Sequence, residues 1–168
     1  FKLESQETVP SSGWKIEKVS DRKVRDEWKP LWGKRAVVED HFNELVIDLV
    51  NPAGQPERMQ LVVRGYNDGF AFCYKIPDGK GPCVNVQSEL TAYNFAGDYT
   101  AWFYNGENHN IGPEKLTETD GTRLPVMTVK AGDKHYMAIH EACLETGAPL
   151  VLQSKGGESL FSVCLLYT

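Results

Sequence analysis

The chain has 168 residues, 41% of them hydrophobic and 24% charged, with a net charge of −5 spread along its length. Those proportions describe an ordinary globular protein with enough chain for one sizeable core. They exclude a disordered chain. No Lys/Arg run or basic stripe offers a nucleic acid anything to bind, and no apolar run approaches the length of a membrane span.

The chain opens on "FKLESQ" rather than on Met, as removal of a signal or excision from a longer protein would leave it. Next comes "DRKVRDEWKPLW" (21–32), the one segment that offers a helical reading; sparse apolar positions and Pro30 weigh against it. From there the pattern has period two. In "NELVIDLV" (43–50), Leu45, Ile47 and Leu49 alternate with Glu44, Val46 and Asp48, as in a half-buried strand. "RMQLVVRGY" (58–66), "FAFCYKI" (70–76), "PCVNVQSEL" (82–90) and "TAWFY" (100–104) follow, then "LPVMTVKA" (124–131), "HYMAIHEA" (135–142) and "SLFSVCLLY" (159–167). All are short, rich in Val, Ile and aromatics, and separated by turn chemistry such as "YNDGF", "PDGKG" and "SKGGES". "YNDGF" predicts a hairpin with Gly69 at positive φ. There is no internal repeat and no linker, so residues 1–168 predict a single all-β domain, an antiparallel sandwich or barrel.

The four cysteines (73, 83, 143 and 164) lack C-x-x-C spacing, which argues against a zinc knuckle or redox pair. Cys73 and Cys83 flank "PDGKG" and either face each other across a hairpin or remain free thiols. No G-x-S-x-G or local Ser-His-Asp grouping supports a nucleophilic hydrolase. His140-Glu141 resembles the start of H-E-x-x-H, yet no second histidine follows one helical turn later, so a zinc-protease helix is excluded. Strand alternation would send His140 and Glu141 to opposite faces. The stretch 100–116 reads as an aromatic strand running into a long polar loop with Glu107, Asn108, His109, Asn110 and Glu114. Such oxygen donors suit a hard cation such as calcium, though one loop cannot fill a shell of six to eight oxygens. Trp102 is assigned to core packing, with Trp102, Phe103 and Tyr104 the alternative material for a sugar-stacking platform.

Five stretches occur together in a recognisable order: "DEWKPLWGKRAVVEDHFNELVIDL" (26–49), "YNDGFAFCYKIP" (66–77), "AWFY" (101–104), "LPVMTV" (124–129) and "YMAIHEACLE" (136–145). In that order they resemble the N-terminal domain of glycoside hydrolase family 97, the exo-acting α-glucosidases and α-galactosidases of gut and environmental bacteria. The resemblance implies an antiparallel β-super-sandwich like that of galactose mutarotase. It also implies a periplasmic or secreted setting and a following (β/α)₈ barrel, absent from this chain, which supplies the catalytic carboxylates. A calcium ion shared with that barrel would take one carboxylate from this domain: by position Glu107, with Glu114 as substitute and Glu141 as the second candidate. Two departures from the family pattern stand out: Cys73 where an arginine is usual, and Glu145-Thr146-Gly147 where Asp-Tyr is usual.

The expectation is therefore a non-catalytic accessory domain that helps frame the site for an α-linked oligosaccharide or galactoside and donates a calcium ligand to the barrel. The alternative is a stand-alone carbohydrate-binding or interaction module. A mutarotase-like enzyme would need a histidine pair with an acidic base, and the spacing of His41, His109, His135 and His140 supports none.

Overall fold

The computed structural model describes residues 2–3, 13–53, 57–76, 86–104, 110–142, 149–157 and 160–165. The described elements are all β, and every strand pairing is antiparallel. They gather into two compact units, one of residues 5–85 and one of residues 1–4 with 86–168.

The 5–85 unit is a four-stranded meander of β2 (Lys15–Trp28), β3 (Val38–Val50), β4 (Arg58–Gly65) and β5 (Phe70–Lys75), hydrogen-bonded in chain order. The segment 21–32, which offered a helical reading, is strand up to Trp28. Its register with β3 runs without a break from Lys18↔Asp48 to Trp28↔Val38. The reason is tertiary: a long partner strand supplies the hydrogen bonds that local propensity does not. The "YNDGF" hairpin is as expected, closing Gly65 onto Phe70 with the Tyr66 N–H donating to the Gly69 carbonyl at 2.8 Å. Gly69 is not among the glycines at positive φ, so the four-residue loop turns without a left-handed residue there. The register places Leu45, Ile47 and Leu49 beside Val63, Leu61 and Met59 on one face. The opposite face carries Glu44 beside Arg22 and Arg64. Between β2 and β3 the chain exposes an apolar tip: Leu31 is wholly exposed, Trp32 is 88% exposed and Trp28 55%.

The other unit holds β1 (Lys2–Leu3) paired with β6 (Val86–Ser88), and a seven-stranded sheet. Its strands are β7 (Ala92–Asn94), β8 (Thr100–Tyr104), β9 (Asn110–Lys115), β10 (Asp120–Lys130), β11 (Tyr136–Ile139), β12 (Leu150–Lys155) and β13 (Leu160–Leu165). The path runs β7-β13-β12-β10-β8-β9, and β11 also pairs with β10. Alternation along β8 and β10 sends Ala101, Phe103, Met127 and Val129 inward, where they pack with Leu116 and Leu152. Phe103 is the core aromatic of "AWFY". Trp102, assigned to the core from sequence, lies half-buried on the other face, because the alternation begins one residue earlier at buried Ala101. The stretch read as a polar loop (100–116) contains a strand: β9 pairs with β8 from Thr100↔Lys115 to Tyr104↔Asn110. Gly112 permits that pairing. At φ +118° it lies so close to β8 that a Cβ would sit 2.5 Å from the Ala101 carbonyl oxygen.

Candidate functional site at one end of the large sheet

β10 is the organising strand. Its first residues pair with β12 (Arg123↔Leu152) and its last with β11 (Met127↔Ile139) and β8 (Thr128↔Trp102), with a register irregularity between Leu124 and Thr128. Thr128 pairs with both Trp102 and Ala138, so β8 and β11 flank β10 and run parallel to each other. They run toward the same end of the sheet, about 10 Å apart across it at two strand spacings, β11 stopping at the level of Met127 and β8 reaching that of Leu124. The chain beyond Tyr104 leads to the segment carrying Glu107, and the chain beyond Ile139 leads directly to His140 and Glu141. Glu107 itself, with the rest of 105–109, lies outside the described residues.

Glu141 is half-buried, two residues past the end of β11. The N–H of Leu150, the first residue of β12, donates to its Oε2 at 2.9 Å. The carboxylate thus ties the exit of β11 to the entrance of β12 across nine residues of chain, and among the described residues no donor meets Oε1. His140 is exposed. The strand expected over 135–142 stops at Ile139, so the opposite-face argument for His140 and Glu141 does not extend to them.

Glu114 is drawn elsewhere. It pairs with Ala101 on β9, and its Oε2 accepts from the Thr119 hydroxyl at 3.3 Å. That level of the sheet lies two residues, roughly 7 Å, before the end of β11, and β9 is three strands away from β11. Glu114 and Glu141 are therefore not brought together. Among the described residues no three His, Cys, Asp or Glu side chains form a group able to hold a metal ion. What the described residues present at this end of the sheet is the anchored Glu141 carboxylate, whose second oxygen meets no donor among them and suits a single position in a calcium shell. His135 and His140 sit before and after β11, at its opposite ends, and His41 belongs to the other unit, 3.9 Å from Glu39. Cys73 is a free, exposed thiol on β5, and its suggested partner Cys83 lies outside the described residues.

Sequence reasoning picked out Glu141 but not the backbone N–H that holds it, since Leu150 follows an unpatterned stretch. It also passed over Tyr136, an exposed residue whose ring centroid stands 6.5 Å from that of Trp102. The "HYMAIHEA" alternation placed Tyr136 on a strand but not beside β8.

The described fold is that of an all-β, antiparallel domain with Glu141 anchored at one end of its large sheet. The family model described as glycosyl-hydrolase 97 N-terminal matches residues 1–163, and the chain belongs to that family. It is 27% identical over 161 residues to a retaining α-galactosidase of Bacteroides thetaiotaomicron, covering 85% of this chain and 23% of that protein. It is 28% identical over 154 residues to a probable retaining α-galactosidase of Streptomyces bingchenggensis, covering 81% and 24%. A glycoside hydrolase family 97 enzyme from Pseudoalteromonas sp. strain K8, solved in complex with acarbose, matches 92% of this chain and 24% of its own. The TM-score is 0.82 at 25% identity. A β-arabinopyranosidase shares the fold, with a TM-score of 0.79 at 18% identity. The all-β, antiparallel super-sandwich class expected from sequence is the one these matches show. The chain spans about a quarter of the length of the relatives it matches. Among the described residues no helix is long and apolar enough to cross a membrane.

Proposed function

We propose that the chain is a non-catalytic accessory domain of an exo-acting α-glycosidase. In this reading it helps to frame the site for an α-linked oligosaccharide or galactoside. It also presents a carboxylate to a calcium ion shared with a catalytic (β/α)₈ barrel. The observation that carries the reading is Glu141, fixed by the Leu150 N–H through one oxygen and meeting no donor at the other among the described residues. Glu107, on the segment that leaves β8 at the same end of the sheet, is the second candidate ligand. Anchoring matters because a carboxylate held by the backbone does not have to be ordered when the ion arrives. Bound calcium would supply positive charge near the sugar. This chain's own contribution is to hold an oxygen at a set position and to orient the wall beside it. The α-galactosidase activity of the two curated relatives and the acarbose complex support a carbohydrate substrate for the whole enzyme. A periplasmic or secreted location belongs to the same proposal.

Two measurements test it. The isolated chain should give no turnover of p-nitrophenyl α-glucoside or α-galactoside; turnover abolished by Glu107→Gln would overturn the accessory assignment. In a protein joining this domain to its barrel, Glu141→Gln should raise the calcium requirement for activity by about tenfold or more. An unchanged requirement in both Glu141→Gln and Glu107→Gln would overturn the shared-ligand reading.

A further inference from the structure

The face of the large sheet opposite its core carries a second feature that the metal reading does not use. Along β8 the residues pointing away from the core are Thr100, Trp102 and Tyr104; across β10 and β11 they are joined by Thr128, Lys130 and Tyr136. The Trp102 and Tyr136 rings lie on either side of β10 with centroids 6.5 Å apart and planes inclined by 35°. Tyr136 is 61% exposed and Tyr104 45%. Leu124, the register partner of Tyr104, and Ala138, the partner of Thr128, share this face, and none of these positions is Asp or Glu.

That composition separates the face from the two ordinary uses of a sheet surface. A face made to pack against a second sheet is mostly aliphatic. A face made only for water carries charges of both signs. This strip instead combines three aromatics, each with a polar handle, with two hydroxyls, one ammonium group and the small apolar share of Leu124 and Ala138. Flat aromatic carbon bordered by hydrogen-bonding groups complements a pyranose ring, which presents C–H groups on its face and hydroxyls around its rim. We infer that Trp102, Tyr136 and Tyr104 form a carbohydrate-binding platform for pyranosyl chains. Its stacking surface is the Trp102–Tyr136 pair, and Thr128 and Lys130 between them act as hydrogen-bond donors to sugar hydroxyls. The platform is distinct from Glu141, which requires a cation and lies beyond the end of β11.

The 168-residue chain is tested by affinity electrophoresis through gels containing soluble starch or galactomannan. Retardation is expected in at least one gel, weakened about fivefold or more by Tyr136→Ala and retained by Tyr136→Phe. Because Tyr136 is exposed, its substitution leaves the sheet core alone, and circular dichroism checks that the fold survives. Trp102→Ala should abolish binding, and Trp32→Ala, at a more exposed tryptophan of the other unit, should leave it unchanged. A chelator or Glu141→Gln should not affect mobility; loss of retardation in either would assign the sugar to the metal-ligand end and overturn the platform. Absence of retardation in both gels, or retardation that survives Tyr136→Ala, would also overturn it. Neither of those results bears on the calcium requirement of the joined enzyme.

Discussion

Glu44 shows what a single buried charge does in a thin sheet. It is 6% exposed, with its Oε1 accepting from the Arg22 Nε at 2.5 Å and its Oε2 from the Arg64 Nε at 2.7 Å. The Arg64 guanidinium in turn lies 4.4 Å from the centroid of the Phe42 ring, which contacts Tyr66. These hydrogen bonds, from Arg22 first and Arg64 second, hold the Glu44 carboxyl below its ordinary 4.5 against the opposing cost of burial. The native state therefore binds this proton less readily than the unfolded chain. The stabilisation is complete above the unfolded carboxyl's range and is lost as pH falls through the depressed value. Both arginines are substantially exposed, so solvent and salt screen the cluster. Glu44→Gln should cost about 1 kcal/mol at neutral pH, less at molar salt, and the difference should vanish well below pH 4.5. Thermal melts of both proteins across pH would show it. An undiminished difference at pH values where the carboxyl is protonated would contradict the ion-pair account. Glu44 was legible as the polar position of an alternating strand. Its partners were not, because they come from strands on either side whose register no local pattern sets.

At the scale of elements, the strands that sequence reasoning found are those with one apolar face, such as β3, β4, β8 and β10. Of those it missed, β12 is a short strand with buried Val151 and Leu152, whereas β2 and β9 offer little apolar face. β2 is exposed at nearly every position, and β9 contains Gly112 and Pro113, residues that normally speak against a strand. Each exists because a neighbour with a buried face pairs with it: β3 with β2, and β8 with β9. Gly112 is the point on which the β8–β9 pairing turns. Gly112→Ala would drive a methyl group into the Ala101 carbonyl and against Trp102, at a φ that L-residues avoid. It should destabilise the unit by about 2 kcal/mol or more. Because Trp102 moves with β8, the same variant should weaken any polysaccharide retardation, whereas Gly69→Ala, with open space around its Cβ and no positive φ, should do neither. Paired melts and gels would separate the two glycines.

At the scale of the whole molecule, the fold class was readable from the strand rhythm and the family from five short stretches in order, while the site was readable only in part. Glu141 was visible as an acidic residue at a strand end. That it is anchored by Leu150, and that its strand runs toward the same end of the sheet as β8, depends on β10 serving several partners at once. A chain offering one anchored carboxylate should bind calcium weakly, since a lone carboxylate competes poorly with water for the ion. Calorimetry should detect no micromolar calcium binding by the 168 residues and no rise in melting temperature at that concentration; micromolar binding would mean that the shell is complete within this chain. The exposed tip between β2 and β3 adds an optical consequence. Trp28 and Trp32 stand in water, while Trp14 and Trp102 are half-buried. Iodide should therefore quench a large, red-shifted share of the emission, and any body that covers the tip should be seen as a blue shift and as loss of that quenching, without a label.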